Sequence, residues 1–201
     1  MKKSLRYGAL LAATTLAVGI TVAPIATAAT KVKACLALDT GGVDDKSFNA
    51  SAWRGAQKVA SGSVSVKYLA AQSDADYAPN IKKLVDEGCN VIIGVGFLIN
   101  DAIVAAAKAN AGTKFAIIDQ DGFDHGPNFD KWPGDSFVNL KCVQFATNQS
   151  AFQAGYLAAG FSKTGKVATY GGLKIPPVTI FMDGFAKGVA HYNKIKGKSV
   201  V

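Results

Sequence analysis

The amino-acid sequence predicts an α/β fold, with a doubly wound parallel sheet between two layers of helices. Three observations support this prediction. Short apolar runs alternate with segments of helical periodicity along residues 31–119. The connections between them are short and contain the glycines and aspartates typical of turns. The run at residues 90–95 is almost continuously apolar, as expected of a strand buried on both faces.

The first predicted lobe, at residues 29–145, begins with four strands that alternate with three helices. Phe48 and Trp53 mark the apolar face of the first helix, and we interpret Trp53 as a core residue. Asp76 opens the second helix, which Gly88 ends. The predicted strands are at residues 31–39, 64–69, 90–95 and 114–119, and the predicted helices at residues 48–60, about 74–87 and 100–109.

Residues 120–135 interrupt this alternation and predict an irregular surface loop, because they contain three glycines, two prolines and four aspartates. A strand at residues 136–145 closes the first lobe. The predicted elements after it are a helix at residues 150–161, a strand at residues 166–170 and a helix at about residues 179–192.

The strand, Gly-Gly and helix of residues 36–48 return in looser form at residues 167–181, which favours two similar lobes with a shared cleft. Residues 146–201 offer too little sheet to cover their helices. The sequence therefore predicts an incomplete second lobe and a chain that is a piece of a longer protein.

The amino-terminal segment predicts a secretory signal peptide at residues 1–28 and an exported protein, in the periplasm or on the outer face of the membrane. Lys2, Lys3 and Arg6 precede an apolar run, and small residues follow it at Ala26 and Ala28. A membrane anchor is the alternative, but the run contains threonines, a glycine and a proline.

The formal net charge is +8, and the lysines are scattered except for a cluster near the end of the chain. No basic stripe with interleaved aromatic residues is present, so the sequence predicts no nucleic-acid partner. We interpret the lysines as solvated surface residues.

The three cysteines form an odd number for an exported protein. Cys35 lies in the first predicted strand and Cys89 immediately before the third. Because these strands are often neighbours in a doubly wound sheet, we predict a Cys35–Cys89 disulfide. Cys142 is then left as a small apolar residue, and the spacings match no zinc site.

The turn after the first strand is the strongest candidate for a binding site. Its strand ends at Asp39, and Gly41 and Gly42 let the backbone approach a ligand closely. In open α/β sheets ligands bind at the carboxyl ends of the strands. The glycines do not match the dinucleotide-binding pattern, so the turn predicts no nucleotide cofactor.

Carboxylates dominate the same turn and suit a neutral ligand rich in hydroxyl and N–H donors, because ionised carboxylates only accept hydrogen bonds. Asp39, at the strand tip, is the better candidate for ligand contact. Asp44 and Asp45 have a second interpretation as caps of the following helix, which Ser47 could also cap.

Six segments carry a resemblance to a known family: D-T-G-G-V-D-D-K-S-F-N-A-S-A-W-R-G (Asp39 to Gly55), D-Y-A-P-N-I (Asp76 to Ile81), G-V-G-F (Gly94 to Phe97), F-A-I-I-D (Phe115 to Asp119), A-G-Y-L-A-A (Ala154 to Ala159) and I-F-M-D-G-F-A-K-G-V (Ile180 to Val189). In this order they resemble the basic membrane protein family, the PnrA-like substrate-binding proteins of ABC importers. The resemblance implies a type I periplasmic-binding-protein fold, in which two α/β lobes close around a ligand.

Several members of that family bind purine nucleosides, stacked between one aromatic ring from each lobe. The resemblance implies that Phe48 is the ring of the first lobe and that Phe181, rather than Phe185, is the ring of the second. Asp119 then reads the N–H edge of the purine. The full predicted set of ligand-binding residues is Asp39, Thr40, Phe48, Asp119 and Phe181.

Other interpretations of these residues stay open, since Phe48 and Phe181 could be core residues and Asp119 could cap a turn. At Thr40 some nucleoside binders of the family carry an amide-type side chain. The family's ribose contacts lie mostly beyond this chain, and its usual lipid-anchoring cysteine is absent.

The sequence thus predicts a solute-binding protein without catalytic activity, cofactor or metal, whose partners are a small ligand and a membrane permease. It contains no P-loop, G-x-S-x-G or H-E-x-x-H motif. One alternative is a secreted Mg²⁺-dependent phosphotransfer enzyme that uses Asp39, Asp44, Asp45 and Asp119. Another is a sensory or adhesive surface protein built from the same lobes.

Overall fold

A computed structural model of the protein describes residues 31–120 and 138–201. The predicted signal peptide lies outside the described residues, as does nearly all of the loop predicted at residues 120–135. The elements, in chain order, are β1 (Val32–Leu38), α1 (Phe48–Val59), β2 (Val64–Ala70), α2 (Tyr77–Asp86), β3 (Val91–Val95), α3 (Asn100–Ala109), β4 (Lys114–Ile118), β5 (Leu140–Val143), α4 (Thr147–Phe161) and α5 (Pro176–Lys196).

The five strands form one parallel sheet in the order β2-β1-β3-β4-β5. In the centre, Leu36 of β1 pairs with Tyr68 on one side and with Ile93 on the other. This confirms the predicted α/β class and the parallel sheet. The first three crossovers carry α1, α2 and α3, which pack on the faces of the sheet.

Two apolar layers hold the helices to the sheet. On one face, Ile81 and Leu84 of α2 and Ile103 of α3 are buried with Ile92 and Ile117 of the strands. On the other face, Trp53 of α1 packs against the layer that contains the buried side chains of β1. The ring of Trp53 meets that of Tyr68 edge-on at 4.9 Å, which confirms that Trp53 is a core residue.

The structure confirms the predicted disulfide between Cys35 and Cys89, which joins β1 to the residue before β3. Their Cα atoms are 6.1 Å apart, and both cysteines are buried. Cys142 lies on β5, partly buried and outside the disulfide.

Helices α4 and α5 pack backbone against backbone along three glycines, a contact that we call the glycine seam (Gly155, Gly184 and Gly188). A Cβ atom at Gly155 would lie 2.0 Å from the carbonyl oxygen of Phe185, and one at Gly188 would lie 2.0 Å from that of Phe152. Such distances are far below van der Waals contact, so a larger side chain at either position would push the helices apart.

The prediction of a strand at residues 166–170 is wrong. Val167 N–H donates to the carbonyl of Val201, and Val201 N–H donates to that of Gly165, and no ladder forms there in the described chain. A strand needs a neighbour along its whole length, which a local apolar pattern cannot supply.

The last helix begins at Pro176 rather than near residue 179, because proline suits the first helical turn. Nowhere in residues 31–120 or 138–201 is a helix both long and apolar enough to cross a membrane.

Candidate functional site

A cavity of about 270 Å³ lies beyond the carboxyl ends of β4 and β5. It brings together three of the five predicted site residues: Phe48, Asp119 and Phe181. They come from three different elements, since Phe48 is the first residue of α1, Asp119 follows β4, and Phe181 lies in α5. The other residues that line the cavity are Phe145, Ala146, Thr147 and Ser150.

The three phenylalanine side chains are only partly covered by the rest of the protein. The exposed fractions are 41% for Phe48, 51% for Phe145 and 52% for Phe181. These values exclude the interpretation of Phe48 and Phe181 as ordinary core residues. Exposed aromatic rings that converge on one cavity are instead typical of a ligand site.

Phe145 belongs to the cavity although sequence reasoning did not select it. Its ring lies 5.9 Å from that of Phe48 and is tilted by 56°. It follows β5 by two residues, in the link to α4. A sequence signal existed, because the predicted strand at residues 136–145 ended at this phenylalanine, at the ligand-binding edge of a parallel sheet.

Asp119 adopts a left-handed backbone conformation, with φ of 69°. Aspartate tolerates this region better than most residues do. Its N–H donates a 2.8 Å hydrogen bond to the carbonyl of Val143, which ties the end of β4 to the end of β5. Burial raises the pKa of the Asp119 carboxyl above its ordinary value, because the charged form is poorly solvated there.

The hydroxyl groups of Thr147 and Ser150 already donate hydrogen bonds to backbone carbonyls, one in α4 and one in the link before it. Ser150 Oγ donates to the carbonyl of Thr147 at 3.0 Å, and Thr147 Oγ1 donates to that of Phe145 at 3.4 Å. Toward a ligand, both oxygens are therefore available as hydrogen-bond acceptors.

Phe185 lies one helical turn after Phe181 and lines a neighbouring cavity of about 400 Å³. Phe181 and Ser150 line both cavities. The structure therefore places Phe181, and not Phe185, beside Phe48 and Asp119.

The structure does not place Asp39 or Thr40 in this cavity. Asp39 Oδ1 accepts hydrogen bonds from Asn49 Nδ2 at 2.7 Å and from Gly41 N–H at 3.2 Å. A Cβ atom at Gly96 would lie only 2.2 Å from Asp39 Oδ2. Asp39 therefore connects the tip of β1, the start of α1 and the turn after β3. Thr40 is exposed beside it.

Asp45, and not Ser47, caps α1. Its carboxylate accepts hydrogen bonds from the N–H groups of Ser47, Asn49 and Ala50, at 2.8 to 3.0 Å. The side chain of Ser47 makes no capping bond. Burial opposes ionisation of Asp45, but the backbone donors and Arg54 lower its pKa below the ordinary value. Asp44 is exposed and outside this cap.

Asp39, Asp45 and Asp119 thus have separate positions and partners. No group of three or more histidine, cysteine or acidic side chains is arranged to hold a metal ion in the described parts of the chain. The Mg²⁺-dependent alternative has no support from their positions.

Comparison with known proteins identifies the family of this chain. The profile described as "ABC transporter substrate-binding protein PnrA-like" matches residues 32–196. This chain belongs to that family. The resemblance seen in the sequence is therefore confirmed.

Curated relatives include the "ABC transporter nucleoside-binding protein BmpA" of Lactococcus lactis subsp. cremoris, which is 34% identical over 79% of this chain and 43% of that protein. "Basic membrane protein A" of Borreliella burgdorferi is 35% identical, over 81% of this chain and 45% of that protein. The chain spans less than half the length of these relatives.

Solved structures share the fold. A solute-binding protein of an ABC transporter system from Aeropyrum pernix K1 superimposes with a TM-score of 0.67 at 27% identity, over 84% of this chain and 45% of that one. A carbohydrate transporter solute-binding protein from Chloroflexus aurantiacus shows the same fold, with a TM-score of 0.56 at 21% identity over 86% and 48%. These neighbours confirm the type I periplasmic-binding-protein fold.

Proposed function

We propose that the protein is an exported solute-binding component of an ABC importer that captures a purine nucleoside and delivers it to a membrane permease. One observation carries this proposal: Phe48, Phe145, Phe181 and Asp119 converge on one cavity at the carboxyl edge of the sheet. Family membership and the nucleoside-binding relative from Lactococcus lactis support the ligand class.

Stacking supplies most of the affinity in this proposal. Phe48 from α1 and Phe181 from α5 present exposed rings to the cavity. Stacking of a base on an aromatic ring contributes roughly 1–3 kcal/mol. Two such rings on different elements can hold a flat heterocycle between them.

Hydrogen bonds supply specificity. Asp119 accepts N–H groups from the edge of the base, and a ligand that lacks those donors leaves its carboxylate unpaired. Asp39 and Thr40 lie outside the cavity, and the family resemblance is the support for their contact with the ligand, while Asp39 also orders its own turn through Asn49.

Ligand capture proceeds by closure. The link of residues 144–146 joins the sheet to α4, and Phe145 in this link faces the cavity. A nucleoside that contacts Phe48 on one side and Phe181 on the other favours the closed arrangement of the two lobes. The protein changes the position of its ligand and not its covalent structure.

Calorimetric titration of the full 201-residue chain tests the proposal, with guanosine, inosine and adenosine compared with D-glucose and a set of amino acids. We expect binding of the nucleosides only. Phe48→Ala and Phe181→Ala should each weaken it by about 1–3 kcal/mol. Phe161→Ala is the matched control, because this exposed ring ends α4 roughly 20 Å from Thr147. Nucleoside binding that survives both cavity variants would refute the assignment of the site.

A further inference from the structure

The cavity walls carry negative electrostatic character. Its lining residues include three phenylalanines and the carboxylate of Asp119, but no lysine, arginine or histidine among those that the structure describes. The faces of aromatic rings are regions of negative potential and attract cations. The described part of the cavity wall thus presents three aromatic rings and one acid, and its described residues include no positive side chain.

The polar groups point to the same ligand chemistry. The hydroxyl protons of Thr147 and Ser150 are committed to backbone carbonyls, which leaves their oxygens as acceptors. Burial alone raises the pKa of Asp119, and no basic neighbour offsets it in the described residues. A ligand with hydrogen-bond donors and a positive charge would satisfy the two hydroxyl oxygens and offset the negative charge of the Asp119 carboxylate.

One feature opposes this preference. The amino end of α4 lies at the cavity, because Thr147 is its first residue. A helix amino terminus carries about half a positive charge, which is smaller than the full charge of an ionised carboxylate. The amino end of α1 is already neutralised by Asp45. Negative character therefore prevails.

We propose that this cavity prefers purine nucleosides whose base carries a positive charge, such as N7-alkylated guanosine, over the neutral nucleosides of the same shape. The proposal rests on the nucleoside-binding function proposed above and specifies its ligand class. Alkylation at N7 leaves the N1–H and N2–H edge intact, so Asp119 can accept both donors. The charge strengthens stacking on Phe48 and Phe181, the contact of the base with the neighbouring ring of Phe145, and the hydrogen bonds to Asp119.

The test is a paired titration of the full chain with 7-methylguanosine and with 7-methyl-7-deazaguanosine, in mildly acidic buffer that keeps N1 protonated. The deaza compound has the same methyl group and the same hydrogen-bonding edge but no charge. We expect the cationic nucleoside to bind at least about tenfold more tightly, since cation–π contacts strengthen in desolvated sites.

Two variants assign the effect to named groups. Asp119→Asn keeps the size of the side chain and removes its charge, and Phe145→Leu keeps an apolar wall and removes the ring. Each should reduce the ratio of the two affinities, whereas Phe161→Ala should leave it unchanged. Thermal unfolding of each variant checks that it is folded.

The outcomes separate this inference from the proposed function. Equal affinities of the two nucleosides would overturn the preference for charge and leave nucleoside capture standing. Absence of binding by both compounds and by guanosine would overturn nucleoside capture and the preference with it. A ratio that stays high in both Asp119→Asn and Phe145→Leu would also refute the inference, because neither group would then sense the charge.

Discussion

The side-chain amide of Asn49 donates a 2.7 Å hydrogen bond to Asp39 Oδ1. Asn49 is completely buried at the start of α1, and Asp39 stands at the tip of β1. The bond therefore fixes the helix to the strand at the carboxyl edge of the sheet. It gives Asp39 a structural role beside the ligand contact that the family resemblance implies.

Asn49→Ala should destabilise the folded protein by about 1–3 kcal/mol, because it leaves the carboxylate of Asp39 without its amide donor. Urea unfolding measures the change. Asn148→Ala is the control, since that side chain is exposed on α4 and should alter stability by less than about 0.5 kcal/mol. Equal effects of the two substitutions would contradict the role of the Asp39–Asn49 bond.

Gly96→Ala and Gly88→Ala form a matched pair. Both glycines have positive φ, 100° and 74°, so both substitutions introduce backbone strain. Only at Gly96 would the added Cβ meet a neighbour, at 2.2 Å from Asp39 Oδ2. We expect Gly96→Ala to cost at least about 1 kcal/mol more in unfolding free energy. If Gly88→Ala proved as costly, close packing at Asp39 would be excluded as the cause.

The glycine seam is tested by Gly155→Ala and Gly160→Ala, two substitutions in the same helix. At Gly155 the new Cβ would lie 2.0 Å from the backbone oxygen of Phe185, whereas at Gly160 it would lie 3.3 Å from the ring of Tyr192. The first should cost at least about 2 kcal/mol, and the second should be nearly neutral because alanine favours helix. Thermal unfolding distinguishes them, and comparable losses would refute the seam.

The cap of α1 predicts a pH dependence. The hydrogen bonds to Asp45 lower its pKa in the folded state below 3.8, so they stabilise the protein above that value and are lost as the pH falls through the lowered pKa. Asp45→Ala should therefore cost about 0.5–2 kcal/mol at neutral pH and progressively less below pH 3.8. Asp44→Ala, at an exposed neighbour, should show neither effect. A loss for Asp45→Ala that does not change with pH would contradict this assignment.

The disulfide closes a loop with a sequence separation of 54 residues. Chain entropy predicts that its removal costs about 4 kcal/mol. The double variant Cys35→Ala with Cys89→Ala should show this loss in urea unfolding, and Cys142→Ala should not. A reducing agent should destabilise the original chain by a similar amount and leave the double variant unchanged.

The sheet could be predicted because short apolar runs alternate with helical segments, and because β3 is an almost continuous apolar run that marks a strand buried on both faces. The grouping of Phe48 with Asp119 was implied by the family resemblance, and both residues line the same cavity in the structure. Phe145 was missed because its link position, and not its residue type, brings it to the cavity.

Two outcomes required more than the local pattern. The sequence left Asp44, Asp45 and Ser47 as candidate caps of α1, and the turn before the helix, where Lys46 has φ of 55°, presents the carboxylate of Asp45 to the backbone N–H groups. The strand predicted at residues 166–170 depended on partners that a local pattern does not specify. Both outcomes are decided by tertiary geometry, which propensity alone does not contain.

The glycine seam also constrains the two helices that carry part of the cavity wall. Because α4 and α5 pack backbone to backbone at these glycines, we expect the two helices to move as one rigid unit. Phe181 lies three residues before Gly184 and is therefore carried by the same body as Thr147 and Ser150. In the closure proposed above, these three residues would therefore keep their positions relative to one another, and one wall of the cavity would be preformed before a ligand binds.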